Sequence, residues 1–305
     1  MNTKTIGRRF VETKGATVRE GMGREVHLPD VDAKTLLTTT TGWVPDQHRV
    51  DGFVPIAGRR PGLLDLVMAT PTNSAPYTYM EETLDTAAAA ETAEAGTYGE
   101  AALTFTPRSS NVQKITVWLP VTDEAMEDTD ALADTIDDRL SLQIRQRLEF
   151  QMLSGNGTSP NLRGILNVAG IQTQAKGADT AAVAIRKAKT KIQTPGYAQA
   201  DLLVINPTDA EEIDLAAAVD LTAPWVVKDE MWDVPRYATD ALTAGTAVIG
   251  DWRNYAGLKV KRGVTLQVTD SHSTYFIEGK QAVRAEIRVA FPVYRAAAFA
   301  TITGI

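Results

Sequence analysis

The sequence contains no cysteine, which excludes disulfide bonds and thiolate metal ligands. Its three histidines, His27, His48 and His272, lie far apart in the chain, and none forms a pair with metal-ligand spacing. No apolar run approaches the ~18 residues of a membrane-spanning helix, and the N-terminus lacks the apolar core of a secretory signal. We therefore expect a soluble protein made inside the cell, with no metal site and no membrane contact.

Positively charged residues are missing from one long stretch of the chain. The 305 residues include 31 lysines and arginines against 38 acids, for a net charge of −7. This balance argues against broad binding of nucleic acid or anionic membranes by the folded body. Between Arg60 and Arg108 there is no cation, whereas the acids there are Asp65, Glu81, Glu82, Asp85, Glu91, Glu94 and Glu100.

Most of this acidic stretch belongs to a segment, residues 61–121, that predicts a long β-hairpin. Its first limb contains TPTNSAPYTYM, and its last limb, KITVWLPV, alternates Ile115, Val117, Leu119 and Val121 with other side chains, as a strand does. Small and acidic residues form the tip between the limbs. Because a two-stranded ribbon is too thin to own a core, we expect the hairpin to dock on a partner. A mobile acidic loop is the alternative.

A long helix follows the hairpin. Apolar residues recur every four positions from Ile136 to Met152, which predicts an α-helix from about Ala131 to Leu153, on the order of 35 Å long. The Gly-Asn-Gly sequence at 155–157 ends it. Acids crowd its start, where they suit the helix dipole. They lack the ligand alternation of a calcium loop, so a solvated helix start is favoured over a calcium site.

After the long helix, the pattern alternates between α and β. It predicts a helix capped by Asp179 or Thr180 and ended by a Pro-Gly pair, and then a buried strand in ADLLVINP. Asn206-Pro207-Thr208 opens the next helix, with Thr208 and Glu211 at capping-box spacing. AVIGDW, GLKVKRG and GVTLQVTD predict short strands, and AVRAEIRVAF predicts a strand with one charged face.

The sequence carries no signature of catalysis. GNGTSPNLRG fits neither glycine-rich phosphate motif and follows a helix rather than a strand. The chain has no G-x-S-x-G and no H-E-x-x-H motif. No catalytic residue, no cofactor and no enzymatic activity is therefore predicted. At the N-terminus, Met1 to about Pro29 predicts a disordered tail, or an arm that orders on a partner, and residues 31–60 support only short extended pieces.

Several segments taken in order resemble the major capsid proteins of tailed phages, which share the Hong Kong phage capsid fold with encapsulin shells. The resemblance covers nearly everything after about Thr35. The segments that carry it are TTTTGWVP, LLDLVMATPTNSAPYTYMEE, AETAEAGTYGEAALTFTPRSSNVQKITVWLPVTDEAMED, LEFQMLSGNGTSPNLRGILN, DLLVINPTDAEEI, WDVPRYATDAL, AVIGDW and EIRVAFPVYRAAAFATI.

The resemblance implies an α+β fold with four parts. These are an N-terminal arm at 1–60, an extended β-hairpin loop at 61–121, a peripheral domain at 122–169 and 262–292 with the long helix as its spine, and an axial α/β domain at 170–261 and 293–305. In the founding member, a lysine on the extended loop is cross-linked to a neighbour. Here the loop has only Lys114, away from the tip, so no such cross-link is expected.

The function implied is structural. Copies would form hexamers and pentamers that close into an icosahedral shell around double-stranded DNA, as part of a virion assembled in the host cytoplasm, without sequence-specific DNA binding. Because the arm is short, we expect a separate scaffolding protein. A portal is a further expected partner, and a decoration protein is an optional one. The alternatives are an encapsulin-like nanocompartment, a cytosolic α/β enzyme, and a connector or tail component.

We expect the acidic loop of one subunit to lie across a basic surface of its neighbour. Single exposed ion pairs contribute only ~0–1 kcal/mol, but repetition over a shell would let them select the correct register. The predicted acids are Glu81, Glu82, Asp85, Glu91, Glu94 and Glu100, and the predicted partners are Arg139, Arg145, Arg147, Arg284, Arg288 and Arg295.

Overall fold

The computed structural model describes residues 56–86, 89–128, 130–219 and 230–305, and short strands at 18–19, 25–26 and 226–227. The chain divides into the units Met1–Gly52 and Phe53–Ile305. In the first unit, β1 (Val18–Arg19) and β2 (Glu25–Val26) form an antiparallel pair. The remaining predictions for the tail and for the extended pieces before residue 56 lie outside the described residues.

The second unit contains both helices and sheets. Its helices are α1 (Leu63–Leu66), α2 (Asp123–Asp128), α3 (Asp130–Ser154), α4 (Ala181–Gly196), α5 (Pro207–Val219), α6 (Trp252–Tyr255) and α7 (Tyr275–Glu278), with 3-10 turns at Ile165–Asn167 and Ala296–Ala298. Its strands are β3 (Ala69–Pro71), β4 (Tyr77–Thr86), β5 (Ala102–Ser110), β6 (Gln113–Thr122), β7 (Gln172–Ala175), β8 (Leu202–Ile205), β9 (Val226–Val227), β10 (Glu230–Met231), β11 (Val234–Ala238), β12 (Thr246–Gly250), β13 (Leu258–Thr269), β14 (Lys280–Ala290) and β15 (Phe299–Thr303).

Helix α3 confirms the predicted long helix to within one residue at each end. It packs against β6, β13 and β14, and its buried stripe is Leu140, Ile144, Leu148 and Met152. The helix ends where Gly155 follows it. A Cβ atom at Gly155 would lie 2.4 Å from the carbonyl oxygen of Leu162, so only glycine fits this close approach of two backbone segments.

A four-stranded sheet lies against α3, with the strand order β3-β13-β14-β6. Strand β6 pairs antiparallel with β14 along its whole length, from Gln113 opposite Val289 to Thr122 opposite Lys280. The predicted alternation in KITVWLPV is present, since Ile115, Val117, Leu119 and Val121 contact the core. The opposite face of β6, which includes Trp118, is exposed.

The predicted β-hairpin is present, but its returning limb was assigned to the wrong strand. Its limbs are β4 and β5, which pair antiparallel from Tyr77 opposite Ser110 to Thr86 opposite Ala102. KITVWLPV, which was predicted as the last limb, is β6 of the four-stranded sheet. Alternation shows that a strand has one buried face, but it does not reveal which strand is its partner. Lys114 therefore lies on the sheet and not on the hairpin.

The chain also forms a seven-stranded mixed sheet, with the strand order β7-β15-β12-β8-β11-β10-β9. Strand β8 is buried along its entire length, as its continuous apolar run predicted. Helix α4 packs against β7, β12 and β15. Nearby, Trp252 packs edge-on against Phe299, with ring centroids 5.5 Å apart, and both side chains are fully buried.

Thr180 caps α4, accepting a hydrogen bond from the Val183 amide, and the helix ends within the predicted Pro-Gly pair, at Gly196. The next residue, Tyr197, has a φ of 50°. Two other local predictions for this half of the chain need correction. Asn206, not Thr208, caps α5, since its side-chain oxygen accepts from the Thr208 amide at 2.9 Å. GLKVKRG and GVTLQVTD form one strand, β13, with a pairing irregularity where two strands were predicted.

Candidate assembly surfaces

The hairpin is anchored at its base and exposed beyond it. The Tyr79 hydroxyl donates to the carbonyl of Val293 at 3.0 Å, and its ring packs edge-on against Tyr294 at 5.0 Å. The Lys259 ammonium lies over the Tyr77 ring, 5.1 Å from its centroid. Burial raises the pKa of Tyr79 above its ordinary value. Residues 89–105 are all exposed, so the anchor alone fixes where the hairpin leaves the body.

One face of the hairpin carries an apolar stripe, defined as Met80, Leu103 and Phe105. Residues 103, 105 and 107 alternate onto one face of β5, and Met80 lies directly opposite Pro107. The three side chains of the stripe are 63%, 60% and 55% exposed. A ribbon of two strands cannot bury these side chains itself, so they remain exposed in the single chain.

The acids of the hairpin fall into three groups. Glu82 and Asp85 lie on β4, where the strand register places them opposite Phe105 and Leu103 of β5. Glu81 pairs with Arg108 across the two strands at 2.6 Å, so it is already neutralised within its own hairpin. Glu91, Glu94 and Glu100 lie on the exposed tip. Within the described residues, the tip acids form no ion pair, and they leave the tip uniformly negative.

The outward face of the four-stranded sheet is basic. Among the described residues of its four strands, the one acid is Glu286, which is buried beneath three cations: Arg262 at 2.8 Å and Lys114 and Arg284 at 3.9 Å. Arg288 stands directly opposite Lys114 in the β14–β6 pairing. Cations therefore outnumber acids on this face, which gives it the sign opposite to that of the hairpin tip.

An aromatic ladder, defined as Trp118, His272 and Tyr275, runs along the end of this basic face. The ring centroids of Trp118 and His272 are 5.4 Å apart, and those of His272 and Tyr275 are 5.0 Å apart. Trp118 remains 52% exposed. Beyond the ladder, Phe276 and Ile277 of α7 are 77% and 80% exposed, so apolar surface continues to the end of the sheet.

A buried polar cluster joins the strap at residues 56–62 to the rest of the body. Glu149 of α3 is fully buried and accepts from Arg59 of the strap. Its second carboxylate oxygen accepts from the Tyr237 hydroxyl at 2.8 Å. Arg59 also donates to Thr239 at 2.8 Å and pairs with Asp240 at 2.6 Å. The strap, the long helix and the end of β11 therefore meet at one carboxylate.

The structure gives the six predicted arginines different environments. Arg139 donates to the carbonyl of Ile56 in its own strap, so its guanidinium is hydrogen-bonded within its own subunit. The Arg147 guanidinium lies over Phe150, 5.0 Å from the ring centroid. Arg284 contacts Glu286 and Gln267. Arg145, Arg288 and Arg295 form no ion pair with other described residues.

Among the described residues, no group of three or more histidine, aspartate or glutamate side chains could hold a metal ion. In the same part of the chain, no helix has the length and apolar character to cross a bilayer. Two of the cavities are a polar one of about 180 Å³ at the hairpin base and a largely apolar one of about 420 Å³ between α4 and α5.

The architecture is that of phage-type capsid subunits. The capsid of an empty GTA particle matches with a TM-score of 0.70 at 14% identity, over 85% of this chain and 94% of that one. A chain from Mycobacterium phage Bobi matches with a TM-score of 0.66 at 16% identity, over 85% of this chain and 95% of that one. These likenesses confirm the predicted fold.

The sequence comparisons assign the family. The model of the Phage capsid family matches residues 42–304, and the chain belongs to that family. The chain is 27% identical over 256 residues to the major capsid protein of Enterobacteria phage HK97, which covers 81% of this chain. It spans 66% of the length of that relative. The resemblance seen in the sequence is thereby confirmed, and neither the nanocompartment nor the enzyme alternative is favoured.

Proposed function

We propose that this protein is a major capsid subunit whose copies assemble into hexamers and pentamers and close an icosahedral shell around double-stranded DNA. The family match over residues 42–304 carries this proposal. The exposed hairpin supports it, because such a projection gains stability only when another molecule covers it. A structural role without catalysis, in the virion and after assembly in the host cytoplasm, follows from the same proposal.

We also propose the division into peripheral and axial domains, and the composition of the two sheets supports it. The seven-stranded sheet draws its strands from residues 172–250 and 299–303. Strands β6 and β14 of the four-stranded sheet, together with α3, supply the peripheral part. One boundary is better placed earlier, because β13 begins at Leu258 rather than at residue 262. The extended loop is likewise better limited to residues 77–110.

We retain the proposal that the acidic tip contacts a basic surface of a neighbour. We reduce the set of residues proposed to form this contact. Glu91, Glu94 and Glu100 are the acids best placed, since Glu81 already pairs with Arg108. Arg288 on the basic sheet face is the favoured partner, because it forms no ion pair with other described residues. Arg139 is engaged by its own strap and Arg284 by Glu286. Each exposed pair contributes only ~0–1 kcal/mol, whereas burying one large apolar side chain contributes about 1.5–3 kcal/mol.

Reversing Glu91 and Glu94 to lysine should lower the yield of particles several-fold, because each favourable contact becomes a repulsion at every copy of the interface. The subunit should stay folded, since both side chains are exposed. Particle yield by sedimentation and folding by circular dichroism are the measurements. Reversal of Glu211, an exposed acid on α5, is the matched control. Normal particles from the Glu91/Glu94 variant would contradict the proposed contact.

The net charge of −7 suits a wall that confines DNA without binding its sequence. A scaffolding protein, a portal and a decoration protein remain part of the proposal on the strength of the family alone. Electron microscopy of the purified full-length chain, alone and with co-expressed phage proteins, tests the function directly. Closed shells with fivefold vertices are expected. A monomer under all conditions, or open rings that never close, would contradict it.

A further inference from the structure

We propose that the polar cavity at the base of the hairpin is a binding site for a small oxyanion, a phosphate or a carboxylate group. This base cavity has a volume of about 180 Å³. Three segments of the chain line it, together with Tyr79 of β4: the turn from β5 to β6, the loop that follows α3, and the residues that follow β14. The site is independent of the function proposed above, because all of these segments belong to one chain.

The lining of the base cavity offers hydrogen-bond donors and no negative charge. Among the described residues that line it, Arg163 is the one charged side chain. The turn from β5 to β6 adds the hydroxyl and amide groups of Ser109, Ser110, Asn111 and Gln113. Within the described part of the chain, these four side chains form no hydrogen bond. A bound cation would find no carboxylate here, whereas an anion would find a guanidinium and several free donors.

Arg163 is available to a ligand from outside the chain. Its side chain is exposed and forms no ion pair with other described residues. Arg108 and Arg284 differ in this respect, since each already contacts a carboxylate of its own chain. The planar guanidinium can donate two parallel hydrogen bonds to two oxygens of one anion, which is the geometry that phosphate and carboxylate groups offer.

The loop that carries Arg163 is held in place before any ligand binds. The Gly157 amide donates to the carbonyl of Leu162 at 2.9 Å. The side-chain amide of Gln151 donates to Asn161 at 3.2 Å and accepts from the Leu162 amide at 3.1 Å. A Cβ atom at position 157 would lie 2.9 Å from Nε of Arg163, so glycine lets the arginine side chain lie close to the turn. A preorganised donor loses less entropy on binding than a free one.

The volume of the base cavity selects a small ligand. Drug-sized molecules occupy pockets of about 300–1,000 Å³, so a cavity of about 180 Å³ is small for a nucleotide or a sugar chain. One water occupies ~30 Å³ in the liquid, and the cavity therefore has room for an anion of three or four heavy atoms with a few waters. An anion held there would join the turn from β5 to β6 to the loop after α3 and so stiffen the base of the hairpin.

Isothermal titration calorimetry of the unassembled full-length protein with inorganic phosphate tests the site, with sodium chloride holding the ionic strength constant. Arg163→Met should lower the affinity for phosphate about tenfold or more, because it removes the charge-assisted donor. Arg163→Lys should give a smaller loss, since lysine keeps the charge but not the paired donors. Arg253→Met is the matched control, because Arg253 is exposed but does not line the base cavity, and it should leave the affinity unchanged.

Acetate is the second probe, because the same donors could hold a free phosphate ion or the carboxylate of another protein chain. Tighter binding of phosphate would identify a site for the free ion, and tighter binding of acetate would identify a site for a protein carboxylate. Either result supports the oxyanion site.

Hydrogen exchange locates the bound ion. Adding phosphate should slow exchange of the amides in residues 109–113 and 156–163 about twofold or more in the unmodified chain, and not in Arg163→Met, because a bound ion ties these two segments together. Failure of both ions to bind would overturn the site. Phosphate binding of equal strength in the unmodified chain and in Arg163→Met would overturn it as well, since the ion would then lie elsewhere.

Discussion

Replacing Arg59 with methionine is expected to lower the free energy of unfolding by about 3–5 kcal/mol, because the change removes one partner of a buried ion pair. Glu149 is fully buried, and its carboxylate would retain only the Tyr237 hydroxyl as a described side-chain donor. Methionine keeps most of the length of the arginine side chain. The loss of stability therefore reflects the buried Glu149 carboxylate left without a cation, and not a large cavity. Urea unfolding of the unassembled full-length protein gives the value.

The second substitution Glu149→Gln should recover part of this loss, because it removes the charge that Arg59→Met leaves without a cation. A matched control is Arg108→Met, which breaks an exposed pair with Glu81 and should cost under about 1 kcal/mol. Equal losses for Arg59→Met and Arg108→Met would contradict a special role for the buried cluster. So would a double variant that is less stable by the full sum of its single changes.

Replacing Leu148 with alanine is expected to cost about 2–5 kcal/mol, through lost burial and the cavity left behind. Leu148 is 1% exposed and lies in the buried stripe of α3, where the helix packs on the four-stranded sheet. Collapse around the cavity is limited because Ile144 and Met152, one turn away on each side, are buried in the same layer. The thermal or urea midpoint should fall accordingly.

Phe150, two residues along the same helix, supplies the control. It is 39% exposed and contacts Arg147 through its ring, so Phe150→Ala should cost under about 1 kcal/mol. This pair of variants separates helix propensity from packing, because both place alanine on α3. A similar loss for the two would show that the stripe does not hold the helix to the sheet.

Local signals in the sequence predicted the parts of the fold that depend on neighbours in the chain. The four-residue apolar spacing located α3 to within one residue at each end, and the continuous apolar run located β8. Strand partners were predicted less well, because pairing depends on residues far apart in the sequence. Strand β6 shows the limit: its alternation was recognised, but its partner, β14, lies about 170 residues away.

The candidate surfaces were predictable only in part, for the same physical reason. The acidic hairpin could be found from the absence of cations between Arg60 and Arg108. The apolar stripe could not, since its members lie on two strands whose register had to be known. The aromatic ladder and the cluster around Glu149 each join residues more than 80 positions apart, and no spacing rule connects such residues.

The central claim is that the hairpin of one subunit is completed by a neighbouring copy. Cryo-electron microscopy of assembled particles, at a resolution that shows side chains, tests it most directly. We expect β4 and β5 of each subunit to lie over the four-stranded sheet of the next, with the acidic tip at the neighbour's basic face. Hairpins folded back onto their own subunit, or extended into solvent in a closed shell, would contradict the account.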